Sequence, residues 1–170
     1  MTEQMEYRVG DESGDLALEN SQQAADHALA LAQSAERSLL IITRDLDHAL
    51  YDNEPFIDAI SALARGHRMA QIRILLHDSN YVIKHGHRLL TLAQRITSKL
   101  EIRKPGREHQ SFTEALLLAD SRGYLRRPLA DRYEGVVNYN APARSRELSD
   151  TFEEIWTHAQ PDPQLRRLHL

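Results

Sequence analysis

The sequence predicts a single α/β domain in which a mixed β-sheet lies between layers of helices. Short apolar runs, which suit buried strands, alternate with longer segments whose apolar residues recur at the helical period. Further along, two apolar runs are separated only by a turn that contains glycine, which indicates a hairpin within the same sheet. The length of 170 residues and the 41% hydrophobic content are sufficient for one buried core.

The first third of the chain is predicted to contain an arm, a helix and a strand. Residues 1–15 carry five acidic groups and two glycines, which is typical of a flexible arm, and the domain is expected over residues 16–170. A helix capped at Asn20 or Ser21 has a buried stripe that is mostly alanine, which suits close packing against a sheet. The continuous apolar run at residues 38–43 predicts a buried strand.

The middle of the chain continues the alternation of helices and strands. A second helix is predicted with Pro55 in its first turn, where proline is tolerated, and with Gly66 at its end. A second strand follows at residues 71–77, and a third helix is expected after Gly86. Residues 99–103 alternate strictly between apolar and polar side chains, which indicates a strand near a sheet edge.

The C-terminal part is predicted to add a hairpin, one more strand and a long helix. The hairpin strands cover residues 116–120 and 124–127 and flank a turn at Gly123. The further strand covers residues 134–139, and the helix covers residues 142–159 with its large apolar residues on one face.

The first strand of this hairpin has the outline of a catalytic strand of the phospholipase D superfamily. In that superfamily an H-x-K-x-x-x-x-D motif ends in an aspartate, which is followed by a turn and a second strand. Counting back from Asp120, the histidine position holds Thr113 and the lysine position holds Ala115. Phe152 and Trp156 fit the Phe-x-x-x-Trp signature of the helix that follows. The chain therefore resembles a phospholipase D-like domain without its nucleophile, and Asp120 is expected to remain as a structural remnant.

The chain also resembles a narrower group, namely bacterial domains of unknown function that are degenerate relatives of phospholipase D. Some members of that group are joined to GNAT-type acetyltransferases. The residues that carry this resemblance lie at 44–52, 86–90 and 127–135. The resemblance implies a non-catalytic domain, and because half-size units of the superfamily usually pair, it also implies a homodimer.

An anionic, phosphate-bearing ligand or a protein partner is predicted at the carboxyl ends of the strands, where α/β sheets commonly bind ligands. Arg44 has the chemistry for a bidentate contact with phosphate, and Asp47 could orient the ligand. One of Arg126 and Arg127 must point inward, because neighbours along a strand face opposite sides. The predicted ligand-binding residues are Arg44, Asp45, Asp47, Tyr51, His87, Arg88, Arg126, Arg127 and Arg132.

The same residues also allow a purely structural interpretation. The inward arginine could find an internal carboxylate, for which Asp120, Asp131 and Glu134 are the candidates. The group at Arg44 and Asp47 could equally be a helix cap beside a surface ion pair.

Two further functions remain open. A phosphodiesterase or nuclease could use a rebuilt site around His109, which requires a second acid–base group within hydrogen-bond reach. A homodimeric interaction module is the other alternative. His77, Asp78, His85 and His87 have the composition of a metal site but match no helix-borne zinc motif, so neither a metal nor a cofactor is predicted.

Composition excludes several classes of protein. The chain has no cysteine, which excludes a disulfide framework, a cysteine nucleophile and thiolate metal sites. The acidic N-terminal segment does not resemble a signal peptide, and no apolar run approaches the roughly 20 residues that cross a bilayer. The net charge of −4 argues against bulk electrostatic binding of nucleic acid. We therefore expect a cytoplasmic protein without a membrane partner.

Overall fold

The computed structural model describes residues 6–166, and within them the chain forms seven strands and seven α-helices. The strands are β1 (Leu16–Leu18), β2 (Ser38–Thr43), β3 (Gln71–Leu76), β4 (Leu100–Arg103), β5 (Ala115–Ala119), β6 (Gly123–Arg127) and β7 (Gly135–Asn138). The helices are α1 (Ser21–Ser34), α2 (His48–Tyr51), α3 (Glu54–Gly66), α4 (Asn80–His85), α5 (Arg88–Arg95), α6 (Pro142–His158) and α7 (Pro163–Arg166), and a 3₁₀ turn covers Arg107–His109.

All seven strands belong to one mixed sheet in the order β1-β7-β6-β5-β2-β3-β4. β2, β3 and β4 are parallel, whereas β5 is antiparallel to both β2 and β6, and β1 is antiparallel to β7. This arrangement confirms the predicted α/β class, and β4 lies at an edge as its alternation indicated. Among the described helices, none is long and apolar enough to cross a membrane.

Both faces of the central strands are buried. Along β2, Leu39 and Ile41 face the layer that contains α1 and α3, whereas Leu40 and Ile42 face α6. A strand covered on both sides has no wet face, which explains why β2 is a continuous apolar run in the sequence. The alanine stripe of α1 is also confirmed, because its small side chains are fully buried against the sheet and allow the helix to approach closely.

Short elements account for most of the differences from the predicted order. α2 and α4 have four and six residues and occupy segments predicted as loops. The three-residue strand β1 was not predicted at all. Elements this short cannot display a helical or strand period in their sequence, so hydrophobic periodicity does not reveal them.

The segment predicted as a flexible arm is in contact with the sheet over its described part. Gly10 donates its backbone N–H to the carbonyl of Tyr139 at 2.8 Å, and the Tyr7 ring stacks on the Tyr139 ring with 5.0 Å between centroids. Asn138 donates its side-chain amide to Asp15 at 2.9 Å. The prediction for residues 1–5 lies outside the described residues, as do residues 167–170.

Asp120 fixes the connection between α1 and β2. Its carboxylate accepts the backbone N–H groups of Glu36, Arg37 and Ser38 at 2.9, 2.8 and 3.0 Å. The residue adopts a left-handed backbone with φ of +55°, which an aspartate tolerates better than most residues. The partners of Asp120 in the structure are therefore three backbone N–H groups. The inward arginine, for which Asp120 was one candidate partner, pairs with Asp47 instead.

Candidate functional site

The predicted motif lies at the edge where β2 and β3 end and β5 begins. Because β5 is antiparallel to β2, its first residues lie beside the residues that follow Thr43. A cavity of about 410 Å³, which we call the Thr113 cleft, opens at this edge. Its lining includes Arg44, His77, Asp78, Phe112, Thr113, Glu114, Leu129 and Asp131. Thr113, which the sequence resemblance places at the histidine position, therefore lines a cavity.

The Thr113 cleft contains cationic and anionic side chains. Arg44 is exposed and forms no salt bridge with any residue in the range 6–166. Glu114 is neutralised by Arg126, whose guanidinium donates two hydrogen bonds to it at 3.1 and 2.6 Å. Asp78 accepts the backbone N–H of Asn80 at 2.9 Å. Arg44 is thus the cation of the cleft that is available to a ligand.

His77 adds a second nitrogen-bearing group to the cleft. Its Nδ1 lies 3.4 Å from the carbonyl oxygen of Thr43, and its Nε2 lies 3.3 Å from that of His109. A carbonyl only accepts hydrogen bonds, and a neutral imidazole has a single N–H. The two carbonyl oxygens therefore flank the imidazole ring and hold it at the edge of the cleft.

Arg127 is the inward arginine, and it forms a buried cluster with Asp47 and Tyr133. Its side chain is 2% exposed and its Nη2 lies 3.3 Å from the Asp47 carboxylate. Its Nη1 donates to the carbonyl of Arg132 at 3.0 Å, and its guanidinium lies 5.1 Å from the centre of the Tyr133 ring. The Tyr133 hydroxyl donates to Asp47 at 3.3 Å. The partner of the inward arginine is therefore Asp47, which was not among the three carboxylates considered for it.

Burial and the charge of Asp47 dominate the electrostatics near this cluster. The pKa of Asp45 is raised by burial first and then by the negative charge of Asp47. The same two causes, in the same order, raise the pKa of Tyr133. Burial also strongly raises the pKa of Tyr51, which is 1% exposed and packs against Phe56. These tyrosines remain neutral, so neither supplies a charge for a ligand.

His87 and Arg88 serve the local fold and lie outside the lining of the Thr113 cleft. The Nδ1 of His87 accepts the backbone N–H of Leu89 at 3.0 Å and so caps α5, while its Nε2 donates to the carbonyl of Leu46 at 2.9 Å. This pair of contacts requires the neutral ring, and burial lowers the pKa of His87 accordingly. Arg88 forms a salt bridge with Asp52 at 3.1 Å.

The predicted ligand-binding set is therefore distributed over several places. Arg44 lines the Thr113 cleft, and Asp45 and Asp47 line a separate pocket of about 270 Å³ together with His48 and Tyr133. Arg126 is paired with Glu114, and the Arg132 side chain is exposed while its carbonyl binds Arg127. The structure does not bring these arginines together in one cleft, and Arg88, Arg126 and Arg127 have carboxylate partners inside the domain. Tyr133 is the residue that the sequence did not single out, and no pattern in the sequence indicates it.

His109 lies outside the lining of the Thr113 cleft. Its ring is 5.9 Å from the ring of His158 on α6, centre to centre, and it forms no side-chain hydrogen bond to the part of the chain that the structure describes. Glu108, His109 and His158 form the one metal-compatible group found among residues 6–166. His77, Asp78, His85 and His87, which share the composition of a metal site, do not form such a group.

Comparison with known proteins identifies the family and the fold. A family model described as a domain of unknown function, DUF7931, matches residues 20–168. No curated protein sequence matches the chain.

Three solved structures share the fold at low sequence identity. TrmBL2, an archaeal chromatin protein whose structure shows a novel mode of DNA binding, is 17% identical with a TM-score of 0.64, over 93% of this chain and 57% of that one. Nuc from Salmonella typhimurium, a phospholipase D family member, is 12% identical with a TM-score of 0.60, over 86% and 97% of the two chains. NucT from Helicobacter pylori is 10% identical with a TM-score of 0.60, over 87% and 98%. The chain therefore spans little more than half of TrmBL2, and the likeness to Nuc and NucT bears out the predicted phospholipase D-like fold.

Proposed function

The chain belongs to the DUF7931 family, whose members are domains of unknown function, and we propose that it is a non-catalytic binding domain for a small phosphate-bearing ligand. The ligand binds in the Thr113 cleft, and Arg44 contacts its phosphate group. The observation that carries the proposal is the exposed guanidinium of Arg44 in a cavity of about 410 Å³. A planar guanidinium binds phosphate oxygens bidentately, which gives both affinity and orientation.

The residues at the motif positions support binding without phosphodiester cleavage. Phospholipase D chemistry uses an imidazole that attacks phosphorus and an ammonium group that stabilises the phosphate oxygens. Thr113 offers only a hydroxyl group, and Ala115 is buried and offers only a methyl group. The hydroxyl of Thr113 can still donate a hydrogen bond to a phosphate oxygen.

The carboxylates of the cleft restrict the ligand to one phosphate. Asp78 and Asp131 form no salt bridge within the described range, so they repel further negative charge. They can accept hydrogen bonds from hydroxyl or amino groups of the ligand. The proposed ligand is therefore a phosphomonoester with such groups on its remainder, and long polyanions such as nucleic acid are disfavoured.

The test is a thermal-shift screen followed by calorimetric titration. The panel contains inorganic phosphate, sugar phosphates, nucleoside monophosphates and a short oligonucleotide, because a ligand that binds only the folded state raises the melting temperature. Loss of a charge-assisted bidentate contact costs about 1.5–3 kcal/mol, so Arg44→Ala should weaken binding by roughly ten- to a hundredfold. Arg65→Ala removes another exposed arginine, at the end of α3, and should leave the affinity unchanged.

Two results would contradict this proposal. One is that no phosphomonoester stabilises the protein. The other is a phosphate affinity that Arg44→Ala and Arg65→Ala lower equally, because that outcome indicates nonspecific attraction to positive charge.

A homodimer is a second candidate function, and the exposure of Leu129 favours it. This leucine is 48% exposed and lines the Thr113 cleft beside Phe112. In a dimer that pairs across this face, Leu129 would be covered.

Light scattering after size exclusion should then give twice the chain mass for the wild type and the single chain mass for Leu129→Glu. Met69→Glu changes a more accessible apolar residue, which is 68% exposed, and should not alter the mass. A monomeric wild type at micromolar concentration would rule the dimer out.

A further inference from the structure

We propose that Glu108, His109 and His158 bind a divalent transition-metal ion of the Zn²⁺ type. Each of the three residues offers one ligand atom, and these atoms all lie within 4.8 Å of one another. Glu108 and His109 belong to the 3₁₀ turn after β4, and His158 is the last residue of α6. The site is separate from the Thr113 cleft, so this inference does not depend on the proposed ligand.

The two segments that supply the ligands are held together by the backbone. Lys104 and Gln160 form an isolated antiparallel bridge, with N–H to carbonyl distances of 2.7 and 3.0 Å. Gly106 passes so close to α6 that a Cβ atom there would lie 2.9 Å from the carbonyl oxygen of His158. The backbone at the two ligand-bearing segments is therefore held by hydrogen bonds and packing that do not require the metal.

A hydrogen bond within α6 orients the His158 ring and selects the tautomer that a metal requires. Its Nδ1 lies 3.0 Å from the carbonyl oxygen of Glu154, one turn earlier in α6. Because a carbonyl only accepts, Nδ1 carries the proton of the neutral ring, and that tautomer leaves the lone pair on Nε2. Metal-binding histidines commonly use a carbonyl in this way to fix the tautomer and orient the ring.

His109 is the ligand that lacks another interaction. Its Nδ1 is buried and has no hydrogen-bond partner among the described residues. Buried polar nitrogens almost always have a partner, so one without a partner calls for an explanation. Coordination of a metal ion through Nδ1 supplies the interaction that this atom lacks among the described residues.

The donor set selects the metal. Two imidazole nitrogens with one carboxylate oxygen suit Zn²⁺, Co²⁺ or Ni²⁺, whereas Mg²⁺ and Ca²⁺ prefer oxygen ligands. Tetrahedral Zn²⁺ with bonds of about 2.0–2.2 Å places its ligand atoms roughly 3.3 Å apart. Glu108 is exposed, so rotation of its side chain can bring the carboxylate closer to the two imidazole rings. Three protein ligands leave one position for water.

Calorimetric titration of the metal-free protein with Zn²⁺ tests the site directly. We expect one tight site per chain, and Co²⁺ should give the visible absorption bands of a tetrahedral complex. His158→Gln and His109→Gln should each lower the Zn²⁺ affinity by more than about tenfold, because even the residues that support metal ligands contribute that much. His85→Gln, which replaces an exposed histidine outside the group, should have the affinity of the wild type.

Thermal unfolding in the presence of a chelator checks that the variants fold. His158 is exposed, so His158→Gln should unfold at the temperature of the metal-free wild type. The proposal is overturned if the wild type binds no Zn²⁺ with one-to-one stoichiometry. It is equally overturned if His85→Gln loses as much affinity as His158→Gln, because the ion would then bind surface histidines indiscriminately.

Discussion

Replacement of Arg127 by methionine should destabilise the domain far more than the same replacement of its neighbour Arg126. Methionine keeps most of the apolar stem and removes the guanidinium. At Arg127 this group is bound to Asp47 and to the carbonyl of Arg132, and the side chains of the ion pair are only 2% and 10% exposed. At Arg126 the guanidinium is bound to Glu114, and those side chains are 29% and 31% exposed.

The expected magnitude follows from what remains at Asp47. Removal of one partner from a buried ion pair costs about 3–5 kcal/mol, because the other charge stays buried. Asp47 keeps the hydroxyl of Tyr133 at 3.3 Å and the N–H of Ala49 at 3.1 Å, which favours the lower end of that range. Loss of the hydrogen bond to Arg132 adds about 1 kcal/mol. We therefore expect Arg127→Met to lower the free energy of unfolding by about 4 kcal/mol, against about 0–1 kcal/mol for Arg126→Met.

Urea unfolding of both variants measures the two differences under identical conditions. A double-mutant cycle with Asp47→Asn separates the charge interaction from the packing of the arginine stem. Arg127→Met should cost at least about 1.5 kcal/mol less in the Asp47→Asn background than in the wild type. Equal costs for the two arginines, or a cycle without coupling, would refute the reasoning that the buried pair stabilises this face of the sheet.

Three further predictions concern stability. Asp120→Ala removes the acceptor of three backbone N–H groups and should lower the free energy of unfolding by about 2–3 kcal/mol. Asp120→Asn keeps one acceptor oxygen and should lower it by less in the same urea experiment. Burial lowers the pKa of His87, so the native state resists its protonation and stability should fall as the pH drops below about 6.5. That loss between pH 7 and pH 5 should be smaller in His87→Asn, and an identical pH profile would show that another group is responsible. Gly135→Ala places a Cβ 2.2 Å from the carbonyl oxygen of Arg126 and should strongly lower the melting temperature. Gly66→Ala is the control, because no atom lies near its Cβ, and it should raise the free energy of unfolding by about 0.4–1 kcal/mol.

The sequence was sufficient to predict the elements whose side chains follow a regular period. β2 and β5 were identified from apolar runs, α1 from its alanine stripe, and the inward orientation of one arginine from the alternation along β6. These properties depend on neighbours along the chain, and composition and spacing report on them directly.

The sequence was insufficient for the contacts between distant loops. Nothing near Arg127 indicates that the loop after β2 brings Asp47 to it, or that Asp52 takes Arg88 away from the cleft. The same limitation applies to the group of Glu108 and His158, which are fifty residues apart in the chain. The packing of the loops in three dimensions decides which residues become partners. For this reason, several arginines that the sequence assigned to a ligand are paired with carboxylates inside the domain.

The register of the hairpin determines whether the lysine of a phospholipase D motif could be accommodated on β5. Ala115, at the lysine position of the motif, is the direct cross-strand partner of Arg127 on β6. Directly opposed residues point to the same face with their Cβ atoms about 4.5–5.5 Å apart. A lysine introduced at position 115 would therefore meet a buried guanidinium that is already paired with the Asp47 carboxylate. A lysine at this position would therefore require coordinated changes on both strands, and each single change would give a less stable protein.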